Sequence, residues 1–451
     1  MKNKNDVFEK MPVPKAVATL AIPMVLSMLV TVIYNMVDTY FVGQTGDPNQ
    51  VAAVSIMMPI FMVLMAVGNI FGIGGTSLIS RILGEGHKEK VKYISSFCFY
   101  SAIIFGIILI GVFLSNMPLI TKLAGASEST TSFAMDYLKW ISIGAPLIIV
   151  STAFSNIVRS EGAAKTAMIG MMIGTVVNII LDPIMILLLN MGVMGAAIAT
   201  VIGNITSIIF YITYILRGDS LLSISPKNFS FSGNVIKEVF LIGLPASLNN
   251  ILMSAAIIFL NNFLSIYGDI PVAAMGVAMK ANMLVFMLQI GIAMGVQPLI
   301  GYSYGAEDFK RMKAVIKFSM LCTVTVGTTL TIIYYFAADK IINAFISDIS
   351  VIEHGVVMLR ALMMIGPVIG VMFVFMCTFQ AMGKAIPALI LSISRQGLVF
   401  IPALYIGNQL LGLNGIIYAQ PIADAGSIMM ALLLFFFINK KELNKKQHLI
   451  E

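Results

Sequence analysis

Charged residues are scarce in this chain of 451 residues: Asp, Glu, Lys and Arg make up only 11%, whereas hydrophobic residues make up 59%. A soluble domain usually carries about twice that share of charge, so a water-soluble globular protein is excluded. Apolar runs of about 20 residues, the length that crosses roughly 30 Å of hydrocarbon, recur from end to end. We therefore expect an all-α polytopic membrane protein.

Cysteine and histidine are also rare, with three of each. Cys98, Cys322 and Cys377 fall inside apolar runs without paired spacing, which favours packing roles over disulfides or a metal site. The histidines are scattered in polar or terminal positions. The glycine-rich run at 72–86 is not followed by Gly-Lys-Ser/Thr, so it does not indicate a phosphate-binding loop. We expect no enzyme and no cofactor.

Twelve membrane-spanning helices are predicted from the apolar runs. They lie near 16–42, 52–80, 94–117, 133–158, 165–189, 195–216, 236–265, 273–303, 315–337, 356–379, 385–408 and 414–438. Most of the 28 Lys and Arg lie at the two ends and in every second loop. This distribution follows the positive-inside rule, so it indicates a membrane rather than a nucleic-acid partner. It places both termini in the cytoplasm.

The chain is predicted to consist of two similar halves. Residues 22–47 align without gaps on residues 244–269, and "GAP" (144–146) aligns on "IGP" (365–367). Two six-helix halves of the same orientation are a known transporter plan. We predict two pseudo-symmetric lobes with the substrate path between them. Their bounds are 1–216 for the N-terminal six-helix lobe, 217–234 for a cytoplasmic linker and 235–451 for the C-terminal six-helix lobe.

Few ionisable residues lie deep in the spans, where a charge costs several kcal/mol. Asp38 and Asp182 fall in the outer part of the N-terminal lobe. Asn178 shares a helix face with Asp182, and Thr200 lies at a comparable height. Their oxygens could bind Na⁺; equally, one of two neighbouring carboxylates could hold H⁺. We predict a cation-coupling site here and no other metal. The alternative is structural, with Asp182 capping a helix that restarts at Pro183 and Asp38 capping the end of the first span.

The C-terminal lobe lacks this pair, since Asp38 aligns with Leu260. Instead, Lys280, Arg395 and Asp424 lie at one depth near the membrane midplane. Because unpaired charges there would be strongly unfavourable, we predict a salt-bridged cluster.

Two further features are predicted to act in transport. Pro23, early in the first helix, frees a backbone carbonyl and permits bending, which ion binding could change; a static kink is the alternative. A substrate cavity is predicted from polar, aromatic and methionine side chains. They are Tyr34, Asn35, Tyr137, Asn156, Met171, Met172, Met287 and Gln289.

Several motifs together resemble the MATE (multidrug and toxic compound extrusion) family across nearly the whole chain. They are "YNMVDTYFVG" (34–43), "FSNIVRSEGAAKTAM" (154–168), "NIILDPIMI" (178–186), "GAAIAT" (195–200) and "GVQPLIGYSYGA" (295–306). The resemblance implies two lobes that open alternately and export organic compounds against inward H⁺ or Na⁺. It assigns cation coupling to Asp38, Asn178 and Asp182, with Thr200 matching a sixth-helix hydroxyl and Pro23 the first-helix bend.

The sequence thus favours a cation-coupled antiporter that exports organic, cationic or amphipathic compounds. We expect a monomer in the lipid bilayer of a cytoplasmic (inner) membrane, with small organic molecules as its partners. The alternative is a lipid-linked saccharide flippase of the same broader superfamily, because Lys280 and Arg395 place positive charge within the spans.

Overall fold

The computed structural model describes residues 6–447 other than Asp219 and Ser232, and this part of the chain is helical. Ten of its helices are each long and apolar enough to cross a membrane, and two bent helix pairs each pass as one further span. Counting each pair once gives the twelve predicted spans, which we label α1 to α12. Their bounds are Val13–Gly43, Pro48–Gly84, Lys88–Ser115, Glu128–Ile143 with Ala145–Ser160, Ala164–Leu188, Gly192–Leu216, Gly233–Ser265, Asp269–Gly305, Phe309–Asn343, Ile349–Met363 with Gly366–Ala381, Ala385–Leu411 and Leu413–Gln447.

The two bent pairs occupy corresponding places in the two halves. The segments of α4 meet at 58° and those of α10 at 50°. Pro146 and Pro367 each stand in the first turn of the second segment, where the missing N–H of proline is tolerated. The aligned motifs "GAP" and "IGP" therefore mark the same bend in each lobe, as a repeat requires.

α5 and α11 are also alike, because each contains a π-helical turn. In α5 the α-helix Ala164–Asp182 runs directly into the π-helix Pro183–Leu188. In α11 the π-helix Ser394–Leu398 lies between the α-helices Ala385–Ile393 and Phe400–Leu411. Such turns are frequent at functional sites, and here they adjoin Asp182 and contain Arg395.

The two lobes meet along a seam at the end of the bundle that carries the N-terminus. A Cβ on Gly74 of α2 would lie 2.2 Å from the carbonyl oxygen of Val239 in α7, and a Cβ on Gly243 would lie 2.1 Å from that of Ile70. The same reciprocal contact joins α2 to α8, where a Cβ on Gly305 would lie 2.0 Å from the Arg81 carbonyl oxygen. Only glycine permits backbones to approach this closely.

Polar contacts reinforce the seam. Arg81 of α2 forms an ion pair with Glu238 of α7 at 2.8 Å, and the Ser77 hydroxyl donates to the backbone carbonyl of Gln380. The chain before α1 also crosses to the second lobe. There the Phe8 ring stacks on Tyr302 with centroids 4.8 Å apart. The lobes are therefore held closed at this end.

The linker between the lobes packs on the N-terminal lobe. The buried carboxylate of Glu161 accepts hydrogen bonds from the hydroxyls of Tyr214 and Ser220 and, at 2.8 Å, from the backbone N–H of Leu221. The hydroxyls of Ser95 and Ser96 donate to the Ser223 carbonyl. The start of the linker thus moves with the first lobe.

Replacing Glu161 by alanine is expected to destabilise the protein. The substitution leaves partly buried donors on α6 and the linker without their acceptor, at a cost of about 1–3 kcal/mol. We expect the apparent midpoint of thermal unfolding in detergent to fall by several degrees. Glu89→Ala is the control, because Glu89 forms only an exposed pair with Lys92 and such pairs contribute little. An equal midpoint for both variants would contradict this role of Glu161.

Candidate functional site in the N-terminal lobe

Close packing of α5 on α6 brings the predicted coupling residues together. A Cβ on Gly174 would lie 2.5 Å from the Gly203 carbonyl oxygen, and one on Gly203 would lie 2.7 Å from that of Gly174. Without side chains at these two positions, the helix backbones touch one turn from Asn178. The Asn178 amide nitrogen consequently lies 3.5 Å from the Thr200 hydroxyl.

Asn178 and Thr200 link three helices into one polar cluster. The amide of Asn178 also donates to the Asp182 carboxylate at 3.4 Å, within one face of α5. The Thr200 hydroxyl shares a 3.3 Å hydrogen bond with the Tyr34 hydroxyl of α1. Asp38 stands one turn further along α1 and lies within electrostatic reach of Asp182. The cluster therefore contains all four residues predicted to couple a cation.

Several oxygens of this cluster are buried without a hydrogen-bond partner. Asp182 is 0% exposed and Asn178 is 3% exposed. Among the described residues, no donor reaches Oδ1 of Asp38, Oδ1 of Asn178 or Oδ2 of Asp182. Buried carboxylate and carboxamide oxygens left unpaired cost free energy. A proton on a carboxylate, or a hard cation that prefers oxygen ligands, would relieve that cost.

The helix ends give no support to the structural alternative for the two aspartates. The chain stays helical through Pro183, and the Asp182 side chain makes no capping hydrogen bond. Asp38 lies within α1, which continues to Gly43, so it does not cap the end of that helix either. Neither carboxylate is explained by the ends of its helix.

A cavity of about 210 Å³ adjoins the cluster and is lined by residues of α1, α2, α4, α5 and α6. Asn178 and Thr200 of the cluster form part of its wall. Tyr34 and Met171, two of the residues predicted for a substrate cavity, also line it. The rest of the wall combines methionine and phenylalanine from α2 with small hydroxyl and amide side chains. Such a lining suits an organic molecule with few polar groups.

Other residues predicted for the substrate cavity lie elsewhere. Tyr137 is buried within electrostatic reach of Asp38 and Asp182. Asn156 is buried and is not among the residues that line the cavity, and its amide donates to the Thr152 carbonyl at 3.0 Å. Met172 is half-buried outside the cavity wall, and the side chain of Asn35 lies outside the described part of the structure.

The remaining two predicted cavity residues belong to the C-terminal lobe. Met287 lines a second cavity of about 260 Å³ between α7, α8, α10, α11 and α12. Gln289 is fully buried nearby and donates to the Gly366 carbonyl at 3.0 Å. The residues predicted to line one cavity are therefore divided between the two lobes, and each lobe has a cavity of its own in the described part of the chain.

The predicted C-lobe charge cluster of Lys280, Arg395 and Asp424 is only partly assembled. Arg395 and Asp424 form a buried ion pair at 2.8 Å. Lys280 is exposed within the second cavity and makes no ion pair among the described residues. The expectation that all three pair was wrong, because an exposed ammonium retains its hydration without a counter-ion.

Arg159 is a buried charge that the sequence did not reveal, because it directly follows the predicted fourth span, which ends at residue 158. It is 3% exposed. Its guanidinium donates to Asn156 Oδ1 at 2.6 Å and to the Met24 sulfur of α1. The only sequence feature that could have indicated this contact is the spacing of three residues between Asn156 and Arg159, which places both on one face of a helix. Arg159 thus ties α4 to α1 close to Pro23.

Pro23 lies inside α1, which remains helical on both sides of it. The Ser27 hydroxyl donates to the Pro23 carbonyl at 2.9 Å, a local contact that often accompanies helix bending. Across the seam, a Cβ on Gly295 of α8 would lie 2.6 Å from Ala21 Cα. The segment around Pro23 is therefore packed against the second lobe.

Comparisons with known proteins agree with these observations. The family model described as MatE matches twice, over residues 23–184 and 245–406. The chain is 34% identical over 444 residues to "Multidrug export protein MepA" of Staphylococcus saprophyticus, covering 98% of both chains. It is 33% identical over the same length to the protein of that name from Staphylococcus aureus strain MSSA476, again covering 98% of both.

Solved structures show the same likeness. One described as the outward-facing conformation of a multidrug resistance MATE family transporter matches with a TM-score of 0.90 and 26% identity, covering 99% of both chains. The family model matches once in each half of the chain. The chain is a multi-pass membrane protein that belongs to the MatE family.

Proposed function

We propose that the protein exports organic, cationic or amphipathic compounds by alternating access, in exchange for H⁺ or Na⁺ bound at Asp38 and Asp182. The observation that carries the proposal is the buried cluster of α1, α5 and α6. Three of its carboxylate and carboxamide oxygens lack a partner among the described residues, and it adjoins a cavity. The multidrug export named in the relatives favours this function over the lipid-linked saccharide flippase.

Coupling requires that the ion bind one conformation better than the other. α1 provides a physical route for that difference, because it carries Asp38 at one end and the Pro23 segment at the other. The Pro23 segment packs on Gly291 and Gly295 of α8. A change in α1 on ion binding would therefore act directly on the contact between the lobes.

The closed seam supports an outward-facing state. The distribution of basic residues favours a cytoplasmic position for the seam end of the bundle, and with that orientation the open side of the bundle faces outward. Substrate would enter from the cytoplasmic side in the opposite state. Ion binding in the outward-facing state would then lower substrate affinity and release the substrate outside. Both lobes come from one chain, which supports a monomer in the cytoplasmic membrane, and no step of this cycle needs a cofactor.

The proposal is tested with purified protein in liposomes and a fluorescent organic cation such as ethidium. Na⁺ and pH gradients are imposed separately, and each is collapsed with an ionophore as the control. We expect one of the two gradients to drive ethidium accumulation well above that in protein-free liposomes. Ethidium transport that neither gradient accelerates would overturn cation coupling, and loss of all transport would overturn export.

A further inference from the structure

The second cavity differs in charge from the first. It lies in the C-terminal lobe, has a volume of about 260 Å³, and is lined by Lys280 and Arg395. No carboxylate is among its lining residues in the described part of the chain. The N-lobe cavity, in contrast, has no charged residue in its wall and adjoins two aspartates. The two lobes therefore present opposite charge to a bound molecule.

Arg395 is fixed in place with most of its donors unused. Its Nε donates to Asp424 Oδ1 at 2.8 Å, an oxygen that also accepts from Gln420. The guanidinium lies between two aromatic rings, 5.0 Å from the centroid of Phe286 and 5.3 Å from that of Phe373. A guanidinium has five N–H groups, and the four on its terminal nitrogens make no hydrogen bond to the described residues. These groups are held rigidly beside the cavity.

Lys280 supplies the uncompensated charge. Asp424 offsets Arg395 through their ion pair, but Lys280 has no acidic partner among the described residues. Lys280, Met283 and Met287 recur at helical spacing along one face of α8, and all three line the cavity. The cavity thus joins a positive end to an apolar, adaptable methionine surface.

We infer that the C-lobe cavity binds amphipathic organic anions, with the anionic head group between Lys280 and Arg395 and the apolar body against Met283 and Met287. Charge-assisted hydrogen bonds from a guanidinium and an ammonium suit a carboxylate, sulfonate or phosphate. The volume of about 260 Å³ is slightly below the range for small-molecule sites, about 300–1,000 Å³, so the cavity suits a small amphiphile. The inference goes beyond the proposed function, since it adds a class of ligand and a second site.

The test compares two dyes that share one ring system. Anilinonaphthalene sulfonate carries an anionic group, whereas N-phenyl-1-naphthylamine is its neutral counterpart. Binding is measured by titration calorimetry on the full chain in phosphatidylcholine nanodiscs, with empty nanodiscs subtracted. We expect Lys280→Gln to weaken sulfonate binding by about tenfold to a hundredfold, the effect of losing one charge-assisted hydrogen bond. Binding of the neutral dye should not change.

Two variants complete the test. Lys280→Arg keeps the charge and should retain sulfonate binding. Lys340→Gln is the control: it removes an exposed lysine of the same lobe outside the cavity and should leave sulfonate binding unchanged. Sulfonate binding that is unchanged in Lys280→Gln, or no tighter than that of the neutral dye in the wild type, would overturn the inference.

Adding phosphatidylglycerol to the discs distinguishes the sources of the anion. Weaker sulfonate binding there identifies a lipid head group as the occupant, and equal binding identifies a soluble anion. No gradient is imposed, so the result is independent of cation coupling.

Discussion

Replacing Asp182 by asparagine is expected to abolish cation-driven export while leaving the protein folded. Asparagine has nearly the same shape, and its Oδ1 can still accept the hydrogen bond that Asn178 donates at 3.4 Å. It cannot take up a proton, and it carries no charge to attract Na⁺. Because typical coupling free energies are about 1–3 kcal/mol, or roughly 5- to 150-fold, we expect gradient-driven ethidium transport to fall at least about fivefold.

The decisive measurement compares two modes of transport in the same liposomes. Transport driven by the gradient should be lost, whereas exchange of labelled for unlabelled substrate without a gradient should persist, since the cavity wall is intact. Asp269→Asn is the matched control, because Asp269 is exposed at the start of α8 and should leave both modes unchanged. Gradient-driven transport that survives in Asp182→Asn would remove Asp182 from the coupling mechanism.

The same experiment applied to Asp38 asks whether the two carboxylates share one ion. If they do, Asp38→Asn should be as severe as Asp182→Asn, and the double variant should be no worse than either, since effects within one shared site are not additive. Each variant should elute as a single monodisperse species in detergent. A double variant that is much more impaired than both single variants would instead indicate two separate ion sites.

Most of the fold could be predicted from the sequence, because hydrocarbon imposes a simple rule on it. Every span must be helical and apolar over about 20 residues, and the twelve predicted runs match the twelve spans. The bends were predictable only through the repeat, since Pro146 and Pro367 align. The π-helical turns in α5 and α11 were not, because they share no sequence feature: the first begins at Pro183, whereas Ser394–Leu398 contains no proline.

The site was predictable where polar atoms are costly, and not where contacts depend on packing. Asp182 and Asn178 were conspicuous in the sequence because polar side chains within an apolar membrane span cost free energy. Their proximity to Thr200 depends on how closely α5 approaches α6. Gly174 and Gly203 determine that distance, and the spacing of residues along a single helix gives no information about it. For the same reason the sequence grouped Lys280 with Arg395 and Asp424 by depth, although only Arg395 and Asp424 pair.

Placing a valine at Gly243 is expected to shift the protein away from the closed-seam state. A Cβ there would lie 2.1 Å from the carbonyl oxygen of Ile70 on the opposite lobe, so the clash is with backbone and cannot be relieved by a rotamer. Overpacking of this kind costs about 1–3 kcal/mol, and the conformation with separated lobes does not incur it. The ratio of the two states should change by roughly 5- to 150-fold.

Spin labels read this shift directly. The three native cysteines are first removed, and cysteines then replace Glu85 and Lys310, which are both exposed beside the seam. Spin labels are attached to the two new cysteines, and the distance between the labels is measured by double electron–electron resonance. We expect a longer distance population in Gly243→Val, together with slower export, because the cycle must pass through the closed seam. Gly276→Val is the control, since a Cβ there meets nothing within 4 Å. Identical distances and export rates in all three proteins would show that the glycine contact does not set the balance between the two states.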